Sequence, residues 1–132
     1  MIAQLETVWA PRVLSIVRIV AALIFMEHGT QKWLGIPPLG RAGPELMSMS
    51  GFGGLIELIL GPLLVLGLFS RPVAFILSGE MAIAYWWSHA PRNLYPILNS
   101  GDAAILYCFI FLYIAFAGGG AWSLDRLIWK GK

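Results

Sequence analysis

The stretch GLIELILGPLLVLGLFSRPVAFILSGEMAIAYWWSHAP, residues 54–91, is almost wholly apolar and is interrupted once, at LFSRPV. The interruption contains Pro72, and a proline favours the first turn of a helix, where the N–H that it lacks would have no partner. Apolar runs of this length are typical of helices rather than strands. The stretch therefore predicts an antiparallel pair of helices, at about 52–69 and 72–88, joined by a minimal turn.

Two further apolar runs lie outside this pair, at about 12–34 and 102–118. The 132-residue chain is 58% hydrophobic and only 12% charged, whereas soluble domains carry about 25% charged residues. Lipid offers no water to backbone polar groups, so spanning segments of this kind are expected to be helices. The predicted fold is a single all-α domain over residues 1–132. It is a transmembrane four-helix bundle with a short inner turn, longer outer loops and a C-terminal interfacial helix within 121–132.

Basic residues near the ends of the predicted helices indicate the orientation. Five of them lie on the side of the two termini and three on the opposite side. The positive-inside rule then predicts that both termini lie on the cytoplasmic side of a bacterial-type inner membrane. The first group is Arg12, Arg71, Arg126, Lys130 and Lys132, and the second is Lys32, Arg41 and Arg92. The net charge is only +2 with scattered basic residues, which excludes a nucleic-acid-binding face.

Polar residues interrupt the apolar helices mainly towards the predicted outer side. A charge at the centre of a membrane costs about 2.5 to 3.5 kcal/mol on insertion scales, so such groups are expected to face protein or a water-filled cavity. The pattern predicts an outward-facing polar pocket between the helices. Its candidate ligand-binding or proton-relay residues are Glu27, His28, Gln31, Lys32, Glu57, Glu80, His89 and Asp102.

Several of these residues also have a purely structural interpretation. Glu27 and Lys32 are candidates for snorkelling to the membrane interface, and Asp102 for stabilising the N-terminus of the fourth helix through its charge. His89 is a candidate cap of the third helix. Arg18, in the inner half of the first helix, either anchors that helix or neutralises a buried carboxylate. Glu57 and Glu80 lie too far from a helix end to snorkel, which favours a ligand-facing role.

A set of motifs along nearly the whole chain resembles the DoxX family of small four-helix membrane proteins. The motifs are HGTQKW (28–33), the quoted stretch (54–91), NSGDAAILY (99–107) and GGGAWSLDRL (118–127). The resemblance implies Lys32, Glu57, Arg71, Glu80, His89, Asn99 and Ser123-Leu124-Asp125 as characteristic positions, and we expect Arg18, Arg71, Asn99 and Asp125 to be structural or charge-pairing residues. Asp102 departs from the family pattern, in which glutamate is commoner at this position.

The family resemblance and the polar pocket together leave three functional hypotheses. The first is an accessory subunit of a membrane redox system for quinone-linked sulfur or thiol oxidation, with a quinone in the polar pocket and a redox partner protein. The second is a non-enzymatic assembly subunit for other membrane proteins, and the third is a small-solute carrier, which would require a homo-oligomer. Haem and zinc are disfavoured as cofactors because His28 and His89 belong to no axial-ligand or i, i+4 motif. No metal site is expected.

Overall fold

The computed structural model of the chain describes residues 1–40 and 42–129, and these residues form helices and connecting turns without a strand. The first helix, α1, runs continuously over Ile2–Leu34. The remaining elements are α2 (Met49–Leu66), α3 (Ser70–Ala84, prolonged by a π-helical turn Tyr85–His89), α4 (Pro96–Asn99), α5 (Asp102–Ala117) and α6 (Leu124–Ile128). The prediction of an all-α fold is confirmed for the described residues, which include four helices of fifteen or more residues. Two of them, Ile2–Leu34 and Met49–Leu66, are long and apolar enough to cross a membrane.

The first helix begins ten residues earlier than predicted, at Ile2 instead of about residue 12. Pro11 lies inside this helix, although a proline there lacks an N–H and clashes with the preceding turn. The structure accommodates it with a π-helical turn over Leu5–Trp9, in which the N–H of Ala10 donates to the carbonyl of Leu5. Such a wider turn relieves the crowding around the proline. Residues 2–11 therefore extend the helix.

The helices pack in two close pairs. α1 packs against α2, and Gly29 lies so near α2 that an added Cβ would be 2.7 Å from the carbonyl oxygen of Gly54. α3 packs against α5, where the Ser78 hydroxyl donates to the carbonyl of Cys108 at 2.8 Å. The pairs meet in a shared apolar core, in which the rings of Phe25 and Phe111 lie edge to face at 5.0 Å. Small residues thus set the close distances within each pair.

The turn between α2 and α3 is as short as predicted, but both helix boundaries are shifted. α2 ends at Leu66 rather than 69, because Gly67 adopts the left-handed conformation at φ 70° and ends the helix. α3 begins at Ser70 rather than 72. The two carboxylate oxygens of Asp125 accept hydrogen bonds from the backbone N–H groups of Phe69 and Ser70, each at 2.7 Å. A residue 55 positions away therefore caps α3 before the proline.

The fully buried Arg18 ties the C-terminal segment to the bundle at the end that we name the Arg18 end. Its guanidinium donates to four carbonyl oxygens, those of Gly119 (2.7 Å), Trp122 (2.6 Å), Leu64 and Val65 (2.5 Å each). Of its two interpretations, the structure shows the anchoring one, with backbone carbonyls as partners.

The predicted interfacial helix within 121–132 is shorter in the structure. Among residues 121–129, only Leu124–Ile128 is helical, because residues 118–123 fold against the bundle end instead of continuing into a helix. Residues 130–132 of the predicted helix lie outside the described residues.

Candidate functional site

A cavity of about 800 Å³ lies between α1, α2, α3 and α5 at the end of the bundle opposite Arg18, which we name the Lys32 end. Most of its wall is apolar, with Phe25 at its buried side. We name it the Glu80 cavity. Five of the candidate residues predicted from the sequence line it: His28, Lys32, Glu57, Glu80 and His89.

An ion pair between α1 and α2 forms one wall of the Glu80 cavity. The Lys32 ammonium lies 3.0 Å from Oε1 and 3.1 Å from Oε2 of Glu57. Glu57 is 3% exposed and Lys32 is 21% exposed. Both carboxylate oxygens therefore share one cation in a site largely removed from solvent, where the attraction is much stronger than in water. Two of the predicted site residues satisfy each other in this way.

Glu80 is the one carboxylate of the cavity without a partner among residues 1–40 and 42–129. Both of its side-chain oxygens are buried, and neither makes a hydrogen bond within that part of the chain. Gly53 of α2 gives the carboxyl group room, since an added Cβ there would lie 3.0 Å from Oε1. Buried polar groups are nearly always hydrogen-bonded, so an unpartnered pair of carboxyl oxygens facing a cavity is typical of a ligand-binding position.

The two histidines of the cavity are held differently. His28 is exposed and meets the ring of Tyr107 edge to face, with 6.4 Å between the centroids. His89 stacks on Tyr85, and its Nδ1 lies 3.0 Å from the carbonyl oxygen of Asn99. Because a carbonyl only accepts, Nδ1 carries the proton, and His89 joins the end of α3 to α4. Within residues 1–40 and 42–129, neither ring nitrogen of His28 makes a hydrogen bond.

The other three candidate residues do not line the cavity. Glu27 is exposed and Gln31 is half-buried, and both lie on parts of α1 that do not border the cavity. Asp102 is exposed in the first turn of α5, at the position where a negative charge complements the helix dipole. The structure therefore places five of the eight candidates together and leaves these three outside.

Polar residues that the sequence analysis did not select also border the cavity. One is Tyr107, which stacks on Phe111 with 5.6 Å between the ring centroids. Its place at the end of the motif NSGDAAILY was an available signal in the sequence. Arg92 also lines the cavity, although its sequence position had suggested only a loop charge.

The residues predicted to be structural hold the two ends of the bundle. At the Lys32 end, the buried Asn99 donates to the carbonyl of Asn93 at 2.9 Å and accepts from the N–H of Gly101 at 2.8 Å. At the Arg18 end, Arg71 donates to the carbonyl groups of Ala115 and Phe116 and so caps the C-terminus of α5. Asp125 caps α3 as described above. All three bind backbone groups.

No three His, Cys, Asp or Glu side chains within residues 1–40 and 42–129 are close enough together to hold a metal ion. The polar side chains that line the Glu80 cavity are able to form hydrogen bonds and to transfer protons. Glu80 and the neighbouring His28 are groups that both accept and donate protons.

Comparison with known proteins agrees with this architecture. The DoxX family profile matches residues 13–90. The chain is 42% identical to an uncharacterised protein of Haemophilus influenzae, over 92% of this chain and 95% of the relative. It is 30% identical to the inner membrane protein YphA of Escherichia coli, over 88% and 90% of the two chains.

A further relative is an uncharacterised membrane protein of Mycobacterium tuberculosis, which is 28% identical over 86% of this chain and 80% of its own length. No solved structure gives a significant match. The family profile covers more than half of the chain, and the relatives match it almost from end to end. The chain therefore belongs to the DoxX family of membrane proteins.

Proposed function

We propose that α1, α2, α3 and α5 cross an inner membrane as a four-helix bundle, with both termini in the cytoplasm and the Lys32 end outside. Large apolar side chains on the outer faces support this arrangement, since residues such as Ile24, Ile59, Phe75 and Phe109 are between 48% and 65% exposed. Exposed apolar surface on every long helix is typical of a protein surrounded by lipid. The distribution of basic residues supports the orientation.

Cysteine labelling in cells tests the orientation. In a Cys108→Ser background, Leu94→Cys places a thiol in the loop at the Lys32 end and Gln4→Cys places one near the N-terminus, both at exposed positions. We expect a membrane-impermeant maleimide to label Leu94→Cys in intact cells and Gln4→Cys only after permeabilisation. The reverse pattern would overturn the orientation, and labelling of both in intact cells would overturn the three crossings proposed between these two positions.

We further propose that the chain is an accessory subunit of a membrane redox system and that the Glu80 cavity binds the ring of a quinone. The observation that carries this proposal is the unpartnered, buried carboxyl group of Glu80 facing an apolar cavity of about 800 Å³. A quinone is an apolar ring with two carbonyl acceptors. Glu80 in its acid form donates a hydrogen bond to one carbonyl, and His28 donates to the other.

The same two groups suit the proton chemistry of a quinone. Reduction of a quinone to a quinol takes two electrons and two protons, and the electrons come from the sulfur or thiol compound that the partner protein oxidises. Glu80 and His28 deliver the protons to the two ring oxygens. The Lys32–Glu57 ion pair fixes the wall beside them and is already satisfied internally. The chain thus positions and protonates the quinone, while the partner carries out the oxidation.

Binding measurements in lipid nanodiscs test the quinone proposal. Trp87 lines the cavity, so a bound quinone is expected to quench tryptophan fluorescence. We expect a short-chain quinone to bind wild type and Asp102→Asn alike, and to bind Glu80→Gln about tenfold more weakly, since the glutamine amide donates a weaker hydrogen bond than a carboxylic acid. Circular dichroism and thermal unfolding check that the Glu80→Gln variant is folded.

Equal affinity in folded Glu80→Gln and wild type would overturn the quinone proposal. Native mass spectrometry of wild type, extracted gently from its own membrane, gives an independent result. A bound quinone is expected in wild type and not in Glu80→Gln. If the wild-type cavity is empty and the wild-type chain co-purifies with a second membrane protein, the result would instead favour the assembly function.

A further inference from the structure

The Glu80 cavity continues to the surface of the bundle as a cleft between α2 and α3. We name it the α2–α3 cleft. Its walls are Phe52 and Ile56 on α2 and Ile76, Gly79 and Ile83 on α3. The four large side chains are between 36% and 58% exposed. On each helix these residues recur at helical spacing and so form one face.

The opposite faces of both helices are already occupied. α2 packs against α1 through its glycine face, where an added Cβ at Gly54 would lie 2.7 Å from a Lys32 side-chain carbon. α3 packs against α5 through the buried residues Ala74 and Ser78. Within the described residues, the cleft face is thus left facing outward, and in a membrane an apolar outward face contacts lipid tails.

Glu80 lies at the inner end of this cleft, where polar chemistry meets apolar walls. Its carboxyl oxygens are buried, and Oε1 lies beside Gly53 of α2, in the same cavity that Ile76 and Ile83 of α3 line. A ligand that satisfies both environments has a polar head with hydrogen-bonding oxygens and a hydrocarbon chain. A ligand with a polar head but no hydrocarbon chain would leave the cleft to be filled by lipid. A hydrocarbon chain without a polar head would leave the Glu80 carboxyl group without a hydrogen-bond partner, and a buried polar group without a partner costs free energy.

We propose that the α2–α3 cleft holds the hydrocarbon tail of the ligand and is the lateral entrance from the bilayer to the Glu80 cavity. The ligand is thus a long-chain lipophilic quinone rather than a water-soluble ring compound. This inference rests on the proposed function, since it takes the head against Glu80 to be a quinone ring. The tail leaves the Glu80 cavity through the cleft, between Phe52 and Ile56 on one side and Ile76 and Ile83 on the other.

Gly79 offers a position at which the cleft can be blocked without disturbing the fold. An added Cβ at Gly79 meets no atom within 4 Å. The larger side chain of Gly79→Leu therefore extends into open cleft space and occupies the path of the tail. Val20→Leu enlarges an exposed side chain on α1, away from the cavity, and is the matched control.

The experiment uses a quinone whose alkyl tail carries a photoreactive diazirine, with the full chain in nanodiscs. After irradiation, mass spectrometry maps the labelled residues with and without an excess of the unlabelled tailed quinone. We expect competed labelling of Phe52, Ile56, Ile76 and Ile83, and uncompeted background labelling elsewhere. In Gly79→Leu we expect the competed labelling to fall about tenfold, because overpacking excludes the tail, while Val20→Leu matches wild type.

The outcomes separate the tail inference from the quinone proposal. Competed labelling on the outer faces of α1 or α5, or unchanged labelling of the cleft in Gly79→Leu, would overturn the cleft as the tail site while leaving the quinone proposal in place. Absence of any competed labelling, together with absence of quenching by a short-chain quinone in wild type, would overturn the quinone proposal and the tail inference with it.

Discussion

Lys32 and Glu57 lie on neighbouring helices, and the ammonium nitrogen of Lys32 contacts both carboxylate oxygens of Glu57, at 3.0 and 3.1 Å. This pair joins α1 to α2 beside the unpartnered Glu80. One carboxylate of the cavity is therefore neutralised by the protein itself, whereas neither carboxyl oxygen of Glu80 makes a hydrogen bond within residues 1–40 and 42–129. This contrast is the basis of the binding role proposed for Glu80.

Removing one partner of this ion pair is expected to cost more stability than removing both. Lys32→Met leaves the 3% exposed Glu57 without a cation, and breaking such a buried pair costs about 3 to 5 kcal/mol. The double variant Lys32→Met/Glu57→Leu leaves no buried charge, so we expect it to recover most of this loss. The free energy of unfolding in detergent micelles, measured by denaturant titration, checks both values. A double variant as unstable as Lys32→Met would contradict the expectation.

Arg18 is expected to hold the C-terminal segment against the bundle. Arg18→Met removes donors from four carbonyl oxygens, and hydrogen bonds to a charged group contribute about 1.5 to 3 kcal/mol each, not additively. Arg18→Lys is expected to recover little, because a single ammonium cannot reproduce the planar set of guanidinium donors. Hydrogen exchange of the Ala121 and Trp122 amides is expected to accelerate in both variants.

The exposed Arg126 provides a matched control for Arg18. Arg126→Met removes an arginine from the same end of the bundle, where its side chain is exposed. Its unfolding free energy and amide exchange are expected to stay close to wild type, since exposed charges contribute little. Equal effects of Arg126→Met and Arg18→Met would show that net charge at this end, rather than the buried hydrogen bonds, holds the segment.

Sequence patterns predicted the helical hairpin because the apolar period and a proline are local signals. LFSRPV marked the turn, while its boundaries depended on Asp125, which reaches back over 55 residues to bind the N–H groups of Phe69 and Ser70. A contact of that separation leaves no mark in either segment. The first helix was predicted too short for a related reason, since the π-helical turn before Pro11 has no characteristic amino-acid pattern by which to recognise it.

The cavity residues could be predicted only in part. A sequence indicates how far along a helix a residue lies more clearly than it indicates which neighbour that side of the helix faces. Counting residues placed His28, Lys32, Glu57 and Glu80 at one end of the bundle, and the structure brings them to one cavity. The same count included Glu27, which faces away because the orientation of α1 is set by its packing on α2. The Lys32–Glu57 pairing also depends on that packing.

Two helical glycines are expected to respond oppositely to substitution by alanine. In Gly29→Ala the new Cβ would lie 2.7 Å from the carbonyl oxygen of Gly54 and 2.8 Å from the backbone nitrogen of Leu58. Backbone atoms cannot rotate away, so α2 must shift, and we expect a loss of about 1 to 3 kcal/mol. In Gly79→Ala the Cβ meets open space. We expect the free energy of unfolding to rise by about 0.5 to 1 kcal/mol, because alanine loses less conformational entropy on folding than glycine does.

Thermal unfolding of both glycine variants in the same detergent checks the two signs. If Gly29→Ala were as stable as wild type, the close approach of α1 and α2 at this point would be contradicted. A marked loss in Gly79→Ala would show instead that the position is packed, and would remove the open space on which the blocking substitution in the cleft depends.

Asp125 and Asp102 both stand near helix N-termini, and they are expected to differ in their contribution to stability. Both oxygens of Asp125 accept backbone N–H groups at 2.7 Å. In Asp125→Asn one of these oxygens becomes an NH₂ group, which faces a donor and leaves it unsatisfied, at a cost of about 1 to 3 kcal/mol. Asp102 is exposed in the first turn of α5, so Asp102→Asn is expected to lose only the interaction with the helix dipole, about 0.3 to 1 kcal/mol.

Local exchange distinguishes the two aspartates beyond their overall cost. In Asp125→Asn the amide protons of Phe69 and Ser70 are expected to exchange faster, because their acceptor is lost, and α3 is expected to fray towards Pro72. In Asp102→Asn the same amides are expected to exchange as in wild type. If Asp125→Asn changed neither the stability nor these two amides, α3 would have to be capped by its own sequence. Its start would then follow Pro72, as the local pattern alone predicts, instead of the remote aspartate.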